Sequence, residues 1–182
     1  MVIRRGRRRA LVVLVPAVAG VLCAMGAAPA TGLTTTAVDA TCTHPVSLTF
    51  SPGLGLVARP TTFAGTGASG PCVSSQVVSA TMSLSGSGTL GCFSGSASGT
   101  VRFDWVTTTG GTTSSEATVS ATSAGLLGGA ALAGQVTEGL FKGDSYSVAF
   151  AGNPAPLAGC LTASGLDHYS GSATFTFTRP LV

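Results

Sequence analysis

An acid, an imidazole and a phenol stand together once in this chain, at Asp167-His168-Tyr169. An Asp–His pair can orient a general base, but base catalysis also needs a nucleophile held beside the imidazole, and the sequence assigns none there. The trio is kept as a set of binding candidates at the start of the last strand, with Tyr169 the freest of the chain's large aromatics, and no residue is assigned a catalytic role. The other histidine, His44, sits between Cys42 and Pro45 and reads as an exposed residue at a strand start. Neither histidine begins an H-x-x-x-H or C-x-x-C spacing, so no metal site is expected. Asp104, Glu116 and Glu138 fall in strand-like runs. Glycoside hydrolysis would need two carboxylates roughly 5–10 Å apart, whereas six scattered acids are what solubility alone asks for.

Glycine-rich runs point away from chemistry as well. Gly65-Thr66-Gly67-Ala68-Ser69-Gly70 and Gly86-Ser87-Gly88-Thr89-Leu90-Gly91 both match G-x-G-x-x-G. A dinucleotide site needs that motif between a strand and a helix, with an acid about 20 residues on. Each run leads into a cysteine instead, so no cofactor is expected. The two runs read as one device used twice, a strand whose glycines permit bulges or close backbone approach near a disulfide. Gly143-Asp144-Ser145-Tyr146-Ser147 resembles the nucleophile block of GDSL-type esterases over five residues. Its context differs: only 37 residues follow Ser145, and Tyr146, Val148 and Phe150 alternate as a strand. A Gly-Asp hairpin turn between strands is the better reading.

The first thirty residues bear on everything after them. Arg4, Arg5, Arg7, Arg8 and Arg9 precede an apolar run from Ala10 to Met25, and Ala28-Pro29-Ala30 closes it. A charged start, a short apolar middle and an A-x-A end make a secretory signal, too short to span a bilayer as a helix, which takes roughly 20 apolar residues. Residues 1–30 are therefore expected to be removed, by the general secretory route. The precursor's +3 charge then becomes 4 − 6 = −2, from Arg59, Arg102, Lys142 and Arg179 against six acids. Nucleic-acid binding needs clustered Lys/Arg, and residues 31–182 have no such cluster. Cys23 leaves with the signal. Cys42, Cys72, Cys92 and Cys160 remain, an exported set of four that reads as two disulfides with three possible connectivities. The like flanks Gly91-Cys92-Phe93 and Gly159-Cys160-Leu161 favour Cys92–Cys160, which leaves Cys42–Cys72.

Period-two alternation supplies the scaffold. Val46, Leu48 and Phe50 alternate with polar residues; so do Val78 to Leu84, Val101 to Trp105, Ala117 to Ala121, Tyr146 to Phe150 and Ala173 to Phe177. This spacing puts one set on a core face and the other in water. It places Trp105 and Tyr146 in the core rather than on a sugar-stacking surface. Turn signals fall at Ser51-Pro52-Gly53, Gly70-Pro71, Gly110-Gly111, Gly128-Gly129, Gly143-Asp144 and Asn153-Pro154. Four glycines make Leu126 to Phe141 strand and loop rather than helix. Residues 31–41 read as a flexible leader and 42–180 as one all-β domain, an antiparallel sandwich of about eight or nine strands with a barrel as the alternative. A lipid-facing barrel is disfavoured, because aromatic girdles are not evident and no stable membrane span is expected.

The order Cys42, Phe63-x-Gly65-x-Gly67, Cys72, Ala80-Thr81-Met82-x-Leu84-x-Gly86, Cys92, Gly99, Trp105, Gly139-x-Phe141-x-Gly143, Cys160 and Gly171-x-Ala173-x-Phe175 resembles small secreted proteins of actinobacteria. The resemblance implies secretion, a β fold and disulfides, and carries no catalytic residues. The functional expectation is a secreted, non-enzymatic β domain, extracellular or at the cell envelope, that binds a cell-wall polymer or an extracellular protein. The alternatives are a small secreted hydrolase built on Asp167 and His168 or a carboxylate pair, and an inhibitor of exported proteases presenting Ser51–Pro60 or Gly110–Ser115.

Overall fold

Eight strands carry the alternation in the computed structural model, which describes residues 36–122, 131–151 and 157–181, all within one unit spanning Thr34–Val182. They are β1 (Thr36–Leu54), β2 (Arg59–Ser74), β3 (Val77–Leu90), β4 (Gly95–Thr107), β5 (Thr112–Thr122), β6 (Ala131–Gly139), β7 (Ser145–Ala151) and β8 (Leu166–Pro180). A one-turn helix, α1 (Leu157–Cys160), precedes β8. Each strand pairs antiparallel with the next, and β8 returns to pair with β1, so the sheet closes into a barrel. The sandwich expectation is thereby corrected to its alternative. Alternation describes a half-buried strand in either architecture. What separates them is whether the first and last strands meet, and they do so from Thr36↔Pro180 to Leu54↔Leu166.

Closure also corrects the part of the leader from Thr36 to Thr41, residues 31–35 lying outside the described ones. β1 begins at Thr36, and Ala37 and Val38 pair with Arg179 and Thr178, so a stretch without alternation is ordered by β8. The proposed signal, residues 1–30, lies outside the described residues, as do the turn signals Gly128-Gly129 and Asn153-Pro154. Gly110-Gly111 and Gly143-Asp144 do turn the chain, between β4 and β5 and between β6 and β7. Ser51-Pro52-Gly53 and Gly70-Pro71 lie inside β1 and β2, where the ladder shifts register instead of reversing: between Thr49 and Leu54 on β1, and between Gly67 and Gly70 on β2.

Inward positions form one core: Val46, Leu48 and Phe50 from β1, Ala80 and Met82 from β3, Val101, Phe103 and Trp105 from β4, with Val136, Tyr146, Val148, Ala173, Phe175 and Phe177. Phe103 sits at its centre, with ring centroids 5.1–5.8 Å from those of Trp105, Tyr146, Phe175 and Phe177. Two of the core's polar tips are satisfied: Trp105 Nε1 donates to Ser115 Oγ at 2.9 Å, and Tyr146 Oη donates to the Thr118 carbonyl at 2.8 Å. The β6–β7 turn folds Phe141 back over this end, against Trp105 and Phe177. Phe141 holds φ 64° there, a conformation bulky residues rarely adopt.

The two glycine-rich runs lie on neighbouring strands but offset along them, Gly86 facing Phe63 and Gly65 facing Leu84. A Cβ at Gly86 would collide with the Ser98 carbonyl and the Phe63 ring, and one at Gly134 with the Thr118 carbonyl and the Tyr146 ring. Aromatic rings thus occupy the space these glycines leave. Both disulfides pair as the flanks suggested. Cys42–Cys72 ties β1 to β2 in direct register, and Cys92–Cys160 ties the β3–β4 turn to α1.

Candidate functional site

The outer wall is where exposed polar groups collect. Outward positions are dominated by hydroxyls in cross-strand pairs: Thr43 with Thr174, Ser85 with Thr100, Ser87 with Ser98, and Thr100 with Thr118. Thr and Ser suit an exposed pleated surface, and Thr–Thr pairs add cross-strand hydrogen bonds; Thr43 and Thr174 hydroxyls lie 3.1 Å apart. Among the described residues, no helix is long and apolar enough to cross a membrane.

On β3, β4 and β5 two shallow grooves of ≈ 560 and ≈ 320 Å³ adjoin at Arg102. The larger is lined by Ser79, Thr81, Asp104 and the hydroxyls of Thr112 to Ser114; the smaller by Ser83, Ser85, Thr100 and Glu116. Arg102 Nε lies 3.0 Å from Asp104 Oδ1, and its Nη1 lies 3.8 Å from Glu116 Oε1. All three side chains are about half exposed, so these ion pairs add little to stability, at most about 1 kcal/mol. Their effect is to hold a guanidinium and two carboxylates in fixed positions on a neutral hydroxyl field. Asp104 and Glu116 thus line these grooves, while Glu138, opposite Glu116 on β6, lines neither. No aromatic ring is exposed in the trough; Trp105 forms its floor at 1% exposure.

Asp167-His168-Tyr169 does not converge. Asp167 and His168 point outward, whereas Tyr169 is 1% exposed inside the barrel, its ring edge-on to Phe150. This corrects the expectation of a free tyrosine: Tyr169 shares its phase with Ala173, Phe175 and Phe177. Ser170 supplies the partner that spacing did not assign, its Oγ 2.9 Å from His168 Nε2. Both side chains are exposed, and among the described residues nothing accepts a hydrogen bond from the other ring nitrogen of His168. We expect no covalent labelling of Ser170 by a fluorophosphonate probe, checked by intact-mass analysis; stoichiometric labelling would restore the hydrolase reading. Ser145 of the esterase-like block is an exposed residue opening β7 opposite Thr178.

The close carboxyl pair escaped the sequence. Asp144 in the β6–β7 turn is 5% exposed, with Oδ2 unpartnered, and it meets Asp39 on β1. Burial, then the Asp39 side chain, pushes the Asp144 carboxyl up to about 6; Arg179, 3.6 Å from Asp39, opposes the shift. His44 was also missed. It is fully buried on the inward face of β1, with Nδ1 3.1 Å from the Ala68 carbonyl, and burial lowers its pKa. Its phase with Cys42, Val46 and Leu48 was the available signal.

No protein-family model, curated protein or solved structure matches the chain.

Proposed function

We propose that this chain is a non-enzymatic binding module that works outside the cell or at the cell envelope, and that the trough on β3–β5 takes a hydroxyl-rich surface polymer. The observation that carries the reading is the outer wall itself. Its hydroxyl ladders offer donors and acceptors at strand spacing, and the Arg102–Asp104–Glu116 group adds the bidentate contacts that orient a polyol. Asp104 and Glu116 on that wall flank Arg102, His168 lies exposed beside Ser170, and His44 and Asp144 are buried. Two disulfides suit an oxidising compartment, and the arginine-rich start of the chain suits secretion.

With no exposed aromatic ring lining the trough, binding there rests on hydrogen bonds against water and is multivalent rather than tight. Saturable co-sedimentation with one insoluble wall polymer or polysaccharide, displaced by its soluble fragments, is the expected result. Arg102→Ala should weaken it about tenfold, equivalent to about 1.4 kcal/mol. Retention on none of the polymers, or retention unchanged by Arg102→Ala, would remove the trough as the site.

A second reading rests on the loop between β1 and β2. Leu56 and Val57 are 55% and 80% exposed there, and the loop is pinned where Cys92 N donates to the Gly55 carbonyl at 2.9 Å beside the Cys92–Cys160 bridge. An apolar, cystine-supported loop can enter a protease cleft. It is narrower than the Ser51–Pro60 span, since β1 and β2 absorb both ends; most of Gly110–Ser115 likewise belongs to β5. Stoichiometric inhibition of a secreted serine protease, abolished by Val57→Asp, is what this reading requires.

A further inference from the structure

We infer that Cys42, His44 and Cys72 form a redox-gated site for a thiophilic divalent cation such as Zn²⁺, shut while the two cysteines are bridged and opened when the bridge is reduced. The three residues offer ligand atoms within 4.8 Å of one another, one ring nitrogen and two Sγ. The fold sets this up directly. Cys42 and Cys72 face each other in the β1–β2 ladder, and His44 follows Cys42 by two positions on the same inward face. Two sulfurs and one imidazole are a ligand set that zinc accepts in tetrahedral sites.

The histidine is prepared for such a role. A carbonyl oxygen only accepts, so the 3.1 Å contact from Nδ1 to the Ala68 carbonyl places the proton on Nδ1 and the lone pair on Nε2. Metal-binding histidines usually have one ring nitrogen tied to a backbone carbonyl in this way. Nε2 is buried and has no partner, although buried polar atoms are nearly always paired. Room for the imidazole comes from β2: a Cβ at Gly70 would press on Nδ1 and the Thr43 carbonyl. Cys72 is half-buried, which gives reductant and cation an approach to one sulfur.

The chemistry balances with an external dithiol. One thiolate of the reductant attacks a bridge sulfur, and its second thiolate resolves the mixed disulfide. The Cys42–Cys72 bond breaks, two protein thiols form, and the reductant leaves as its cyclic disulfide. The cation then displaces both thiol protons and binds two thiolates and the imidazole, with a fourth position open to water. In the bridged state neither sulfur carries the charge that holds the metal.

Cobalt(II) reports on such a site directly. The oxidised protein should give no thiolate-to-cobalt charge-transfer band. After anaerobic reduction by a dithiol and its removal, one equivalent of Co²⁺ should bring up the band. Cys42→Ser/Cys72→Ser should abolish it, and His44→Gln should weaken binding at least tenfold and alter the visible ligand-field bands. No band after reduction, or a band unchanged in either variant, overturns the proposal. Near-UV circular dichroism of Trp105 shows whether each protein is folded. A measurement on the wild type needs no variant: Zn²⁺ should protect Cys42 and Cys72 of the reduced protein from alkylation. Protection of Cys92 and Cys160 instead, or of no cysteine, also overturns it.

Discussion

Asp144→Asn should make the protein more stable at pH 7 and erase most of its gain in stability on mild acidification. Asp144 is 5% exposed, and burial together with Asp39 raises its carboxyl from 3.8 to about 6. The folded state therefore holds this proton where the unfolded chain has released it. The stabilisation that follows is complete below 3.8 and is lost as pH rises through 6, a swing of about 3 kcal/mol. His44 works in the opposite sense. Its lowered pKa removes stability as pH falls below 6.5, because the unfolded chain takes up a proton the buried ring refuses. The wild-type profile is the sum of the two. Urea denaturation at pH 4, 5, 6 and 7 separates them: wild type and Asp144→Asn should converge near pH 4 and diverge by about 3 kcal/mol at pH 7. Parallel profiles would show that Asp144 is not held protonated. The charges facing it are few: Asp39 on β1 and Arg179 on β8, with Lys142 lining the same recess. Arg179→Ala should therefore deepen the acid dependence.

Phe103→Ala should cost about 3–5 kcal/mol, toward the upper part of the range for a buried phenylalanine. The ring is fully buried and touches four other aromatic rings. Cavity cost depends on how far the surroundings collapse, and a wall hydrogen-bonded all the way round has little freedom to do so. Phe103→Leu should cost much less, on the order of 1–2 kcal/mol. Both are read by urea denaturation, with near-UV circular dichroism following Trp105. A loss below about 1 kcal/mol for Phe103→Ala would mean that this ring does not sit at the centre of the core.

Strand identity was legible because period-two alternation is local, and Val101-Arg102-Phe103-Asp104-Trp105 announces its inward face without help from any other strand. The pattern hid two residues. Gly171 interrupts the inward series of β8, so Tyr169 lost its visible link to Ala173; Pro45 and the neighbouring cysteine did the same for His44 on β1. Asp39 and Asp144 could not be paired, since their contact depends on a turn from one hairpin meeting the first strand. The choice between sandwich and barrel lay equally out of reach, because it is decided by one long-range pairing of β1 with β8. The disulfides were different: like flanks at Cys92 and Cys160 marked two chain reversals that meet, and the remaining pair followed.

That long-range pairing has a kinetic consequence. Thr36 meets Pro180 and Thr43 meets Thr174, contacts that close loops of more than a hundred residues. Hairpins from β2 to β7 form from near neighbours, but closure demands the largest loss of chain entropy for its first hydrogen bonds. Folding of the reduced chain should therefore be slow for its size, with the β1–β8 seam the last to form; the two disulfides shorten the path between Thr36 and Pro180 and should speed that step in the oxidised chain. Until then both long strands present open edges able to pair with another chain. Once the seam shuts, each of the eight strands has a neighbour on both sides, and the edges of β1 and β8 are no longer open to another chain.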